Sequence, residues 1–258
     1  MSAATESPTE GPGVRLDRDG PVATISLCRP AVLNAQTPAM WAEINEIARD
    51  LPGDVRVVVV RGEGRAFSAG LDRQAAASGE LAKLAASEDS VALARIAGYQ
   101  QAFSWLHRPD IVTIAAVHGH AIGAGFQLAL ACDLRVVADD AKFSMAEVAL
   151  GLVPDLGGTK RLVELVGYAR AMELCVTGRR VSADEADKIG LANLVVPVGD
   201  LDGAVRDLSA AILAGNRDAV VEIKALLAGA HGRTYEAQLR AEREAQLRRM
   251  RELFGSGE

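Results

Sequence analysis

The stretch IVTIAAVHGHAIGAGFQLALACDLR, residues 111–135, decides how the whole chain is read. Its first part, Ile111 to Val117, is apolar or small throughout and too short for a buried helix. Such a run reads as a strand covered on both faces. Glycines at 119, 123 and 125 then break the pattern, and from Gly123 to Ala131 the residues suit a buried helix. Leu134 to Ala138 returns to strand. Strand, glycine turn, helix and strand in succession are the signature of a layered α/β domain.

Working outward, the same opening recurs upstream. VVVVRGEGRAFSAGLD, residues 57–72, is a second buried strand running into a second glycine-rich turn. Before it, Val14 to Asp17 and Val22 to Leu27 alternate as strands around Asp19-Gly20, a hairpin turn signal. Thr37-Pro38 offers an N-cap and a first-turn proline, and Met40, Trp41, Ile44, Ile47, Ala48 and Leu51 follow on one helical face. Downstream, Ser182 and Glu185 have capping-box spacing, and Leu201, Val205, Leu208 and Ile212 line another helix. Tyr235 to Leu253 is a charged helix with Glu236–Arg240 and Glu244–Arg248 at i,i+4 and a thin apolar stripe, suited to lie over the body or a neighbouring subunit. Arg73 to Ala97, rich in Ala, Ser and Glu, shows no clean period before about Val91 and is expected to cap a site.

Composition narrows the function classes. The 258 residues suffice for one sizeable core, and 49% hydrophobic with 24% charged residues is an ordinary globular balance. A net charge of −6 argues against a basic nucleic-acid-binding surface. Cys28, Cys132 and Cys175 are scattered and read as reduced thiols, with no metal site expected. No apolar run is long enough to span a membrane, and residues 1–12 read as a disordered polar lead-in without signal-peptide character. The expectation is a cytoplasmic protein with neither nucleic-acid nor membrane partner.

Common catalytic signatures are missing: there is no phosphate-binding GxxxxGK[ST], no GxGxxG after the first strand, and no GxSxG around Ser68. His118 and His120 lack further metal-ligand spacing. The two glycine turns remain. Small residues let a ligand approach the backbone, and a helix beginning near Gly123 offers unpaired N–H groups at its positive end. Two such donors aimed at one point make an oxyanion hole. Spacing alone leaves this open beside turns that serve only close packing.

AFSAGLD (66–72), HGHAIGAGFQLALACDLR (118–135) and EVALGLVPDLGGTKRL (147–162) resemble the crotonase family, the enoyl-CoA hydratase/isomerase superfamily. ISLCRPAVLNA (25–35) and LCVTGRRVSADEADKIGLANLVVP (174–197) extend the likeness, which runs from about Val14 to Ala230. The resemblance implies a spiral of ββα units over residues 13–197, which holds an acyl-CoA site. A helical C-terminal region, 198–258, would cover that site and form trimers, often paired as hexamers. Coenzyme A would enter as part of the substrate, with no separate cofactor. It also implies that the backbone N–H groups of Leu71 and Ala124 form the oxyanion hole. Arg29, Ala69, Gly70, Asp72 and Gly123 then fall at the substrate.

Family hydratases use two glutamates to hold and activate water. Glu147 matches the second position, but Gln127 stands at the first, and an amide cannot exchange a proton at neutral pH. The resemblance therefore favours Δ3,Δ2-enoyl-CoA isomerisation with Glu147 as the single acid/base. Alternatives are hydration with Gln127 positioning water, dienoyl-CoA isomerisation using Glu147 and Asp155, and an acyl-CoA-binding protein without catalysis. Asp155 is equally placed to cap a helix starting near Gly157. Ala31 and Gln36 depart from family habit, and the acyl group's length and shape are not legible.

Overall fold

A computed structural model describes residues 13–77 and 79–255. The expected lead-in, 1–12, lies outside them. The first hairpin, β1 (Val14–Asp19) and β2 (Val22–Leu27), opens the fold and is followed by α1 (Pro38–Asp50) and β3 (Val57–Gly62). Next come α2 (Arg73–Ala77), α3 (Glu80–Ala85) and α4 (Asp89–Ser104). The central run contains β4 (Val112–Val117), β5 (His120–Ile122), α5 (Ala124–Ala131), β6 (Leu134–Ala138) and β7 (Lys142–Ser144). The remainder comprises α6 (Gly158–Val166), α7 (Tyr168–Thr177), β8 (Val181–Ser182), α8 (Ala183–Lys188), β9 (Leu194–Val196), α9 (Leu201–Ala214), α10 (Arg217–Ala230) and α11 (Tyr235–Phe254).

The strands form two sheets. One is six-stranded in the order β1-β2-β3-β4-β6-β9, antiparallel only at the opening hairpin; the other is β5-β7-β8. The valine run explains why β3 is central. Side chains alternate across a strand, so Val58 and Val60 enter the main core while Val57 and Val59 pack on the opposite face. There they meet Leu201, Val205, Leu208 and Ile212 of α9, the helical face expected from sequence. The sheet is thus covered on both sides, as the run required.

Local chemistry sets the ends of the elements. Thr37 accepts a bond from the Met40 N–H at the start of α1, and Ser182 accepts one from the Glu185 N–H at α8. The Glu185 carboxylate turns instead to Arg179, so only half of the capping box forms. Arg248 pairs with Glu222 of α10 at 2.7 Å rather than with Glu244. This cross-helix pair, absent from the i,i+4 reading, ties α11 to α10. Arg73–Ala97 becomes α2, α3 and the start of α4. It lacks a clean period because this stretch roofs a cavity and leaves Val91 and Leu93 exposed.

Candidate active site

The two glycine turns meet because the second sheet aligns them. Ser68 forms a parallel bridge with Ala121 of β5: its N–H donates to the His120 carbonyl at 2.7 Å, and its carbonyl accepts from Ile122 at 3.0 Å. This places Gly70 directly against the next turn. A Cβ on Gly70 would lie 2.5 Å from the Ile122 oxygen, and the backbone there has φ +89°, so only glycine fits. Leu71 follows on one side, and Ala124 opens α5 on the other. Among the described residues neither the Leu71 nor the Ala124 N–H has an acceptor. Two uncommitted donors beside one cavity favour the oxyanion-hole reading over packing alone.

That cavity, about 170 Å³, is lined by Ala69, Gly70, Leu71, Gly123, Ala124, Gln127, Glu147 and Asp155 among others. Eight of the ten expected site residues therefore come together. Arg29 and Asp72 do not line it. They pair with each other at 2.7 Å, and Arg29 also donates to the Ala35 carbonyl, bracing the turn that carries Leu71.

Glu147 sits on a 3-10 turn, residues 146–150, against Gly123, where a Cβ would lie 3.3 Å from its Oε1. Gln127, from the buried helix α5, holds it. Its carbonyl accepts from the N–H groups of Leu156 (2.9 Å) and Gly158 (3.3 Å), which fixes the amide's orientation; its Nε2 then donates to Glu147 Oε1 at 2.7 Å. Among the described residues, Glu147 Oε2 is buried and has no partner. Burial raises the Glu147 pKa, and the charge of Asp155 adds to this against the pull of its own backbone N–H and Gln127. Burial also raises Asp155.

Asp155 does not cap α6. Gly157 occupies the cap position, with a left-handed backbone and no side-chain cap bond, and Asp155 lines the cavity instead. Its backbone is held by Gln100, whose Nε2 donates to the Asp155 carbonyl at 2.7 Å. Because Asp155 raises Glu147, Asp155→Asn is expected to lower the Glu147 pKa. The acid limb of the kcat/KM profile then moves to lower pH. A limb that stays in place would show that the two carboxyls do not sense each other.

Two site residues escaped the sequence reading. Gln36 is fully buried; its amide bridges the Trp41 indole N–H (2.8 Å) and the Ser68 hydroxyl (3.1 Å). Its backbone bonds both neighbours of Leu71, taking the Gly70 carbonyl at 2.7 Å and receiving the Asp72 N–H at 2.8 Å. Its polarity at a usually apolar position was the available signal. Trp41, read only as core, also forms a wall of the cavity.

Comparison with known proteins agrees with this geometry. The chain matches the enoyl-CoA hydratase/isomerase family over residues 17–253. It is 40% identical over 199 residues to a carnitinyl-CoA dehydratase of Salmonella enteritidis PT4, covering 76% of this chain and 72% of the relative. A candidate enoyl-CoA hydratase of Thermobifida fusca YX, solved with acetoacetyl-CoA, is 48% identical with a TM-score of 0.89, covering 93% of this chain and 96% of that one. An enoyl-CoA hydratase of Bacillus anthracis is 31% identical with a TM-score of 0.80, covering 91% and 89%. The ordered turns, their paired free donors and these matches place the chain in the enoyl-CoA hydratase/isomerase family, with a crotonase-type fold.

Proposed function

We propose that the protein is an acyl-CoA enzyme that moves the double bond of a 3-enoyl thioester to position 2. The carrying observation is the Gln127 amide. Its carbonyl and one hydrogen are committed to Leu156, Gly158 and Glu147, which leaves Glu147 Oε2 as the proton carrier beside the two free N–H donors. Glu147 takes a proton from C2, and the electron pair moves into the thioester carbonyl to give a dienolate. The Leu71 and Ala124 N–H groups stabilise the oxygen anion. Glu147 returns the proton at C4, so the double bond shifts with no net gain or loss of atoms. The raised pKa suits a group that must both accept and return a proton.

Coenzyme A recognition by this chain is supported by relatives solved with CoA and acetoacetyl-CoA. Exposed apolar residues on α7, α10 and α11, such as Tyr168, Ile223 and Leu227, suit assembly into the trimers or hexamers that the resemblance implies. Hydration is the second reading. Asp155 provides another carboxyl at the same cavity, Gln127 lines it, and the relatives include proteins named hydratase and dehydratase.

Product analysis separates the readings. Given 3-enoyl-CoA, the protein is expected to form the 2-enoyl isomer of equal mass. Accumulation from 2-enoyl-CoA of a product heavier by one water, without conversion of the 3-enoyl thioester, would replace isomerisation with hydration.

A further inference from the structure

Beside the first cavity lies a second chamber of about 380 Å³, more than twice its volume. Trp41, Leu71, Leu152, Val153 and Asp155 line both, so the two adjoin. Leu81 and Leu84 of α3 and Ala92, Ile96 and Tyr99 of α4 supply the far wall. The chamber is mainly apolar: among the described lining residues there is no Lys, Arg or His, and Asp155, at the junction, is the one charged group.

Trp41 is a fixed wall between the chambers. Its indole N–H is bonded to the buried Gln36, and its ring contacts Tyr99 at 5.0 Å and Phe103 at 6.0 Å between centroids. A water-sized group occupies about 30 Å³ in the liquid, so the second chamber holds on the order of ten such groups. A four-carbon acyl group, reacting between C2 and C4, would leave this volume unused.

We infer that the substrate's acyl group carries a neutral apolar tail of about eight to twelve carbons, seated in the second chamber beneath α3 and α4. The inference rests on the thioester reading of the first chamber. It adds Ala92, Leu84 and Tyr99 as residues that set acyl length, and Asp155 as the group that rejects an anionic tail. Repulsion and desolvation both oppose a carboxylate beside it.

Saturated acyl-CoAs test this without any reaction. Each buried methylene contributes about 0.8 kcal/mol, roughly fourfold in affinity, so decanoyl-CoA is expected to bind the full-length protein at least about 10²-fold more tightly than butanoyl-CoA. Decanedioyl-CoA, with its terminal carboxylate, should lose at least tenfold of about that gain. Ala92→Trp, and independently Leu84→Trp, should collapse the decanoyl-to-butanoyl ratio towards one, with folding checked by circular dichroism. Equal affinity for the two chain lengths in the wild-type protein, or a ratio unchanged in both variants, would overturn the inference. Failure to bind any acyl-CoA would overturn the thioester reading with it, whereas length-independent binding with turnover would sink the tail chamber alone.

Discussion

Glu147→Gln is expected to lower double-bond migration by about 10³-fold while leaving acyl-CoA affinity essentially unchanged. The separation follows from the different tasks of the two carboxyl oxygens. Oε1 receives the Gln127 amide at 2.7 Å, a bond that an introduced amide oxygen keeps. Oε2 is buried, has no partner among the described residues, and in the proposed mechanism carries the transferable proton. Replacing it with an amide nitrogen removes the base without emptying space or stranding Gln127. The proposed oxyanion donors are the backbone N–H groups of Leu71 and Ala124, which this substitution leaves in place, so thioester binding is expected to persist. Rates measured with 3-enoyl-CoA, paired with binding of a saturated analogue, provide the check. Turnover within tenfold of wild type, on the order expected of a group outside the proton path, would remove Glu147 from the mechanism. Asp155 would then be the next residue to test.

How far the sequence foretold this site differs from residue to residue. The valine run and Ile111–Val117 could be read because complete burial leaves a short, continuous apolar signature, and β3 and β4 occupy the middle of the six-stranded sheet. The glycines marked the two turns but left their purpose open, and the family resemblance singled out Leu71 and Ala124; Gly70 and Gly123 have positive-φ backbones that restrict the residue type. Gln36 was visible only as a departure. Its role depends on Ser68, which lies 32 positions away and is brought to it by tertiary packing. Asp155 divided evenly between cap and cavity because both need a carboxylate just before a helix; the left-handed Gly157 took over the helix start. Arg248 illustrates the limit of local pairing rules: Glu244 is four residues away, but Glu222 on α10 presents both oxygens to the guanidinium. Arg73–Ala97 resisted assignment for a related reason. Its described side chains divide between solvent and an apolar chamber, and neither imposes the regular stripe of a helix packed on a core.

Gln127→Glu is expected to raise hydration of 2-enoyl-CoA by about 10²-fold, the contribution of one added acid–base group. The new carboxylate would replace an amide whose oxygen already accepts from the Leu156 and Gly158 N–H groups. Two backbone donors favour its ionised form, so the proton shared by the pair resides mainly on Glu147, already raised by burial. The site then holds one acid and one base in contact, the combination needed to activate water and protonate C2 of the enolate. The same change opposes isomerisation. Glu147 would be protonated over more of the neutral range, and single-base migration would fall there and recover as the pH rises through the new, higher pKa of the pair. Opposite movements of two reactions in one variant distinguish this from general damage, which would depress both. Hydration that stays at the wild-type rate, with the variant folded and binding acyl-CoA, would show that the missing carboxylate is not what separates this site from a hydratase. The geometry of water access beside Asp155 would then be the property that decides between the two reactions.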